Sequence, residues 1–165
     1  MILVTWNCCR GPYLRKAALL DSFNADIAVL QECARPSQET QTCLWFGENP
    51  NQGISVLYRE LLCTGPSVVI GDFNSSTFWD KTHRADRNHS ALVRLLHELG
   101  LVSAYHAHFN EEQGAEKQPT YYFHWNEQKP FHIDYCFIPK TWVKLLRRVE
   151  VAEFEAWKTH SDHRR

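Results

Sequence analysis

A mixed α/β domain built on two packed sheets is the fold class the sequence predicts, and three observations predict it. The chain opens with an apolar run, a helix-compatible stretch and a second apolar run. One amphipathic helix follows at mid-chain. The second half carries four short runs rich in apolar and aromatic residues, divided by turn formers. At 165 residues, 44% hydrophobic and 13% aromatic, the chain has apolar material for one substantial core, so one domain over 1–165 is expected.

Ile2 to Trp6 reads as a short buried strand. Gly11-Pro12 then introduces Leu14, Ala17, Ala18 and Phe23 at spacings that suit a helix, and Ile27 to Leu30 is the next strand, expected beside the first in one sheet. Cys43 to Phe46 and Gly53 to Tyr58 are strand candidates on either side of the turn-rich Glu48-Asn49-Pro50-Asn51-Gln52, and Val68 to Ile70 is another. Ser90 is placed to cap a helix whose Leu92, Leu95, Leu96 and Leu99 form an apolar stripe toward the core. Gly100 sits where a left-handed residue would end it. Leu101 to Tyr105, Thr120 to His124, Ile133 to Ile138 and Val149 to Phe154 read as the strands of the second half, with polar Asn110 to Gln118 as an exposed loop.

A charged content of 22% nearly cancels, leaving a formal net charge of -1, so no overall basic field demands a nucleic-acid partner and any polyanion site must be local. Arg84 with Arg87, and Lys144 with Arg147 and Arg148, are the local candidates; a solvated face is the plainer reading of each. Among the six cysteines, Cys8 and Cys9 are adjacent while Cys33 and Cys136 lie in apolar runs, which favours reduced structural thiols. The nine histidines form no compact cluster with them, which argues against zinc. Met1 to Trp6 lacks a basic leader, and no segment approaches membrane-spanning length, so a cytoplasmic monomer with no membrane partner is expected.

Chemistry concentrates where strands end, because there polar groups can converge without being buried inside a sheet. Four runs change abruptly there: Val4-Thr5-Trp6-Asn7, Val29-Leu30-Gln31-Glu32, Val69-Ile70-Gly71-Asp72-Phe73-Asn74 and Ser161-Asp162-His163. Glu32 is placed to hold a hard cation, with Asn7 adding a neutral oxygen and Mg²⁺ the natural candidate; its bland reading is the first solvated residue after a strand. Gly71 permits a tight turn that presents Asp72 as a base for water and Asn74 as a donor to a phosphate oxygen. An ordinary turn would also accept Asp-Phe-Asn. His163 could donate to a phosphate oxygen beside Asp162, a possible metal ligand, while Asp134 could orient the imidazole. The alternatives are a backbone-satisfied carboxylate for Asp134 and a frayed tail for His163.

Taken in order, Thr5-Trp6-Asn7, Leu30-Gln31-Glu32, Gly71-Asp72-Phe73-Asn74, His132-Ile133-Asp134-Tyr135 and Ser161-Asp162-His163 resemble the motifs of the deoxyribonuclease I-like endonuclease/exonuclease/phosphatase superfamily. The resemblance covers most of the chain and implies a four-layered α/β sandwich, two packed mixed sheets flanked by helices. It implies Mg²⁺ or Mn²⁺ held by Glu32, aided by Asn7 and Asp162. It also implies Asp72 as the group that aligns or deprotonates water, Asn74 as the holder of that water or the phosphate, and Asp134 with His163 as the pair that stabilises developing charge.

The sequence departs from that pattern twice. The superfamily places further strands and a second phosphate-facing His or Tyr before its Gly-Asp-x-Asn motif. Here only Arg59 to Ser67 intervenes, on the order of fifty residues fewer, and Tyr58, His83, His106 and His108 are the donors left. The chain also stops at Arg165, where the superfamily continues into a strand. Three functions follow as expectations: a metal-dependent phosphodiesterase on DNA or RNA; a phosphatase or phosphodiesterase on a small phosphorylated metabolite or lipid headgroup; and a catalytically silent binding module. Trp45, Phe46, Phe78, Trp79, Trp125 and Trp142 could stack bases, though core packing is the plainer reading.

Overall fold

Alternation along Leu3–Asn7 (β1) turns Val4 and Trp6 inward, and the apolar Ile27–Gln31 (β2) lies parallel beside it, with Leu3 opposite Ile27 and Asn7 opposite Gln31. The crossover between them contains helix α1 (Tyr13–Ala18) and a 3-10 turn at Asp21–Phe23. The computed structural model describes residues 1–10, 13–32 and 65–164. The strands predicted at Cys43 to Phe46 and Gly53 to Tyr58, the turn between them, Tyr58, Arg59 to Thr64 and the side chains of Leu14 and Ala17 lie outside the described residues.

Trp6, fully buried, centres the first core, with Val4, Cys8, Leu20 and Trp157 around it. The Trp157 ring meets it edge-on at 4.8 Å, the arrangement that the ring quadrupole favours. Ala18 is exposed, and the neighbouring Leu19, Leu20 and Phe23 do the packing instead.

A second sheet runs antiparallel in the order Val69–Asp72 (β3), Asp134–Pro139 (β7), Leu101–Ser103 (β4). Helix α2 (His89–Glu98) covers it, placing Leu92, Val93 and Leu96 against Tyr135 and Phe137. Gly100 is left-handed (φ 78°), as expected after that helix. Its cap is Asn88 rather than Ser90: the Asn88 side chain accepts from the Ala91 N–H at 2.9 Å, while the Ser90 hydroxyl donates to Asp80. Asn88→Ala is therefore expected to cost about 1 kcal/mol, read as a lower urea midpoint at constant slope. An unchanged midpoint would remove the cap from the account.

Other expectations need correction too, among them the strand predicted at Thr120 to His124, which is strand only over Tyr121–Tyr122 and turns into a 3-10 helix at Phe123–Trp125. The strand predicted at Leu101 to Tyr105 stops at Ser103, whose hydroxyl accepts from His106 N–H and starts helix α3 (Ala104–Phe109). The run Val149 to Phe154 forms no strand. Its period of two survives, with Val149 and Val151 half-buried between exposed Arg148 and Glu150, but no described strand pairs with it, and helix α4 (Phe154–Trp157) follows. The loop Asn110 to Gln118 is not wholly exposed. Glu116 turns in to His106 Nε2 at 3.1 Å. Burial opposes its ionisation, but that bond and the Gly114 N–H prevail and hold its pKa at about 2.

Strands β5 (Tyr121–Tyr122) and β6 (Pro130–Phe131) form a small hairpin-like sheet. At the surface, Arg84 pairs with Asp86 and Arg148 with Glu150. Cys9 and Cys136 are free thiols. No helix among the described residues is long and apolar enough to cross a membrane. Strand β3 lies against both β1 and β2, so the ends of three strands meet at one place.

Candidate active site

Asp72 closes β3 and Asp134 opens β7, and the antiparallel register sets them directly opposite each other. Two carboxylates in that position repel. Both are also nearly excluded from water, with side-chain exposures of 5% and 4%. Such a pair persists only where other groups compensate it.

The compensation is a net of donors. Asp72 Oδ1 accepts from the Asn74 backbone N–H at 2.7 Å, and Oδ2 accepts from Asn7 Nδ2 at 2.9 Å and Asn74 Nδ2 at 3.2 Å. Asn74 makes its two contacts from a left-handed backbone (φ 48°), a conformation Asn tolerates better than most residues. The Gly71 backbone is what calls for glycine, and a side chain there would also have to displace the Gln31 amide. The Gly71 φ is +141°, and a Cβ there would lie 1.9 Å from Gln31 Nε2, where β3 closes on the end of β2. On the other side, His163 Nδ1 lies 3.0 Å from Asp134 Oδ2, and Nε2 stands 3.8 Å from Asp72 Oδ2. That second distance is too long for a hydrogen bond.

His163 is held in place by the main chain around it. Its N–H donates to Ser161 Oγ, whose hydroxyl donates to the Asn7 carbonyl at 2.7 Å. Tyr122 N–H donates to Asp162 O, Arg164 N–H to Thr120 O, and Tyr121 bridges to His163 as in a sheet. Thr120 Oγ1 accepts from the Ile133 and Asp134 N–H groups at 3.1 and 3.0 Å, which locks the start of β7. The segment is thus stitched, not a frayed tail.

Electrostatics follow from this geometry. Burial, and then the Asp134 charge, push the Asp72 carboxyl up to about 6, against the pull of His163 and the two asparagines. For His163, burial disfavours the proton, but the hydrogen bond to Asp134 and the charges of Asp134, Asp72 and Asp162 outweigh it. Its pKa lies above the ordinary histidine value. The site therefore favours an imidazolium between two carboxylates.

Glu32 and Asp162 approach from the side of β1 and β2. Both raise the pKa of the Cys9 thiol, after burial itself, Asp162 more strongly through a hydrogen bond and its charge. Glu32 has a left-handed backbone (φ 50°) directly beyond β2. Asn7 links the two groups: its amide nitrogen serves Asp72, and its oxygen accepts from Cys9 N–H at 2.9 Å. Neither Glu32 nor Asp162 has an ion-pair partner among the described residues. Oxygen and nitrogen atoms of Asp72, Asp134 and His163 lie within 4.8 Å of one another, close enough to share a cation. A site with this excess of carboxylate fits a divalent cation.

Of the seven predicted site residues, Asn7, Asp72, Asn74, Asp134 and His163 form one connected network, and Glu32 and Asp162 border it at Cys9. A cavity of about 700 Å³ between α2, α3 and β4 is lined by none of them. Sequence reasoning missed Thr120, Cys9, Gln31 and Tyr121, whose ring covers His163 at 4.5 Å. Their roles depend on pairing across strands, which leaves no local signal. Of the other donors the sequence offers, none of which it aligns with the missing group, His83 bonds the Trp79 carbonyl of its own turn, and His106 bonds Ser103 and Glu116.

The sequence model of the endonuclease/exonuclease/phosphatase family matches residues 4–163. The chain belongs to that family. No curated protein matches it. Membership brings the deoxyribonuclease I-like α/β fold and phosphoester hydrolysis of the nuclease or phosphatase type, in a family that is typically dependent on divalent metal. The strand-end network just described is the candidate site for that hydrolysis.

Proposed function

We propose that the protein is a Mg²⁺- or Mn²⁺-dependent phosphodiester hydrolase acting on nucleic acid. The observation that carries this reading is the facing pair Asp72 and Asp134 with His163 between them. One group there accepts a proton near neutral pH, and another donates to an anion.

In this reading Asp72, ionised above about pH 6, takes a proton from the attacking water as the water oxygen bonds to phosphorus. Asn7 and Asn74 fix the carboxylate while it does so. His163, kept protonated and aimed by Asp134, donates from Nε2 to a non-bridging phosphate oxygen as charge builds. The ester P–O bond breaks, and the leaving oxygen is protonated from solvent. Glu32 and Asp162, with the Asn7 oxygen, would hold the cation. The metal supplies neutralisation of phosphate charge and a lowered water pKa. The full fold belonging to this reading is the four-layered sandwich.

The test is turnover of bis(p-nitrophenyl) phosphate and of p-nitrophenyl phosphate with Mg²⁺, Mn²⁺ or EDTA. Metal-dependent diester cleavage is expected. A preference for the monoester moves the activity to small phosphorylated substrates, and no turnover of either overturns the enzyme reading. Glu32→Gln is expected to raise the half-saturating Mg²⁺ concentration by at least about tenfold, with Asp134→Asn leaving it nearly unchanged. The reverse result would place the cation between Asp72, Asp134 and His163.

A further inference from the structure

Beyond the carboxylate and imidazole network, the surface feature that packing does not account for is a row of aromatic rings. It starts on the site itself, where the Tyr121 ring lies on His163. From Tyr121 it passes to Phe131 at 6.5 Å and 30°, then to Trp79 at 4.8 Å and 30°. It ends on Phe78, which touches Phe131 and Trp79 with ring edges and is 70% exposed. Phe123, also exposed, branches from Tyr121 at 6.3 Å with Lys129 Nζ above its ring.

An exposed phenylalanine inside a contiguous aromatic patch marks a contact surface rather than misplaced core. The row is continuous with the candidate active site, so its occupant is whatever extends from the reacting phosphate. Lys81, exposed on the turn that presents Phe78, and Arg87, exposed in the loop after it, have no ion-pair partner among the described residues and are free to meet phosphates. With a net charge of -1, the chain lacks the basic surface that holds a duplex through its phosphates alone. Ring faces can be used only by bases that are not already stacked within a duplex.

We propose that this aromatic row is a stacking platform for unpaired bases next to the scissile phosphodiester, and that the substrate is single-stranded nucleic acid. The proposal rests on the phosphodiesterase reading for its orientation, but its binding can be measured separately. Stacking is tolerant of base identity, so weak sequence preference follows.

The experiment is fluorescence anisotropy in EDTA, where nothing is cut, with a labelled oligothymidylate and a duplex of equal length. Single strand is expected to bind more tightly than duplex. Phe78→Ala is expected to weaken single-strand binding by about 5- to 100-fold. Phe78→Trp should bind at least as well as wild type, while Phe78→Leu, which fills the space without a ring, should bind like Phe78→Ala. The Trp and Leu pair reads stacking even if truncation destabilises the fold. Equal affinity of the Trp and Leu variants, or tighter duplex binding, overturns the proposal. So does Phe78-dependent attachment to phosphatidylcholine–phosphatidylserine vesicles with no effect on oligonucleotide. Wild-type protein that binds single strands but never cleaves a diester defeats the catalytic reading and leaves the platform standing.

Discussion

Asp72→Asn is expected to lower kcat for phosphodiester cleavage by about 10²–10⁴-fold, the range a positioned general base contributes. The amide keeps the shape and can still meet Asn7 and Asn74, but it cannot accept a proton, so raising the pH should not restore the rate. In the wild type the rate should climb with pH up to about 6, where Asp72 becomes ionised, and fall again at higher pH as His163 loses its proton. A loss smaller than tenfold, with the same pH dependence, would assign the base to another group.

The same substitution has a second consequence of opposite sign. The folded Asp72 carboxyl is pushed up to about 6 from an ordinary value of 3.8, so the folded state holds this proton more tightly than the unfolded state. Its contribution to stability is complete below about pH 3.8 and is lost as pH rises toward 6. Metal-free Asp72→Asn protein should therefore melt higher than wild type at pH 8, but not at pH 3.5, where both side chains are neutral. Carboxylates facing each other across β3 and β7 are a cost of function, and removing one trades activity for stability.

His163→Ala carries the next largest expected effect, a fall in kcat of about 10²–10³-fold, typical of losing one donor to a developing oxyanion. Asp134→Asn tests how that donor is held. The Asp134 hydrogen bond and charge are what lift the His163 pKa, and the Asp134 charge is the largest lift on Asp72 after burial. Removing the charge should lower both values, moving the acid and alkaline limbs of the rate profile together toward lower pH. A rate that falls at every pH without displacement of either limb would mean that Asp134 only supports β7.

Much of this was legible in the chain before its structure. β1, β2 and β3 are apolar runs that end in polar residues and β7 is one that begins with Asp134, and that change of character needs no partner to be seen. The family could be recognised because its motifs keep their order over nearly the whole chain. Pairing was not legible. Nothing local says that Asp72 faces Asp134, since register is set by the sheet as a whole. Thr120 and Tyr121 reach the site through a sheet contact with the segment around His163, some forty residues away in sequence. The cap at Asn88 was missed because Ser90 has equal capping propensity, and only Asp80, turning in to take Ser90, decides between them. For Phe78 the sequence allows base stacking but favours core packing, because aromatic residues are usually buried. Its exposure depends on a 3-10 turn that follows the Asp72 loop and leaves no inward face for it.

The central claim is tested most directly by a time course on an end-labelled single-stranded oligonucleotide at pH 8. Wild type with Mg²⁺ or Mn²⁺, wild type with EDTA, and Asp72→Asn with metal would be purified and run side by side. Shorter products from the first reaction alone are the predicted result. Cleavage that persists in the Asp72→Asn protein, or that EDTA leaves untouched, would contradict it.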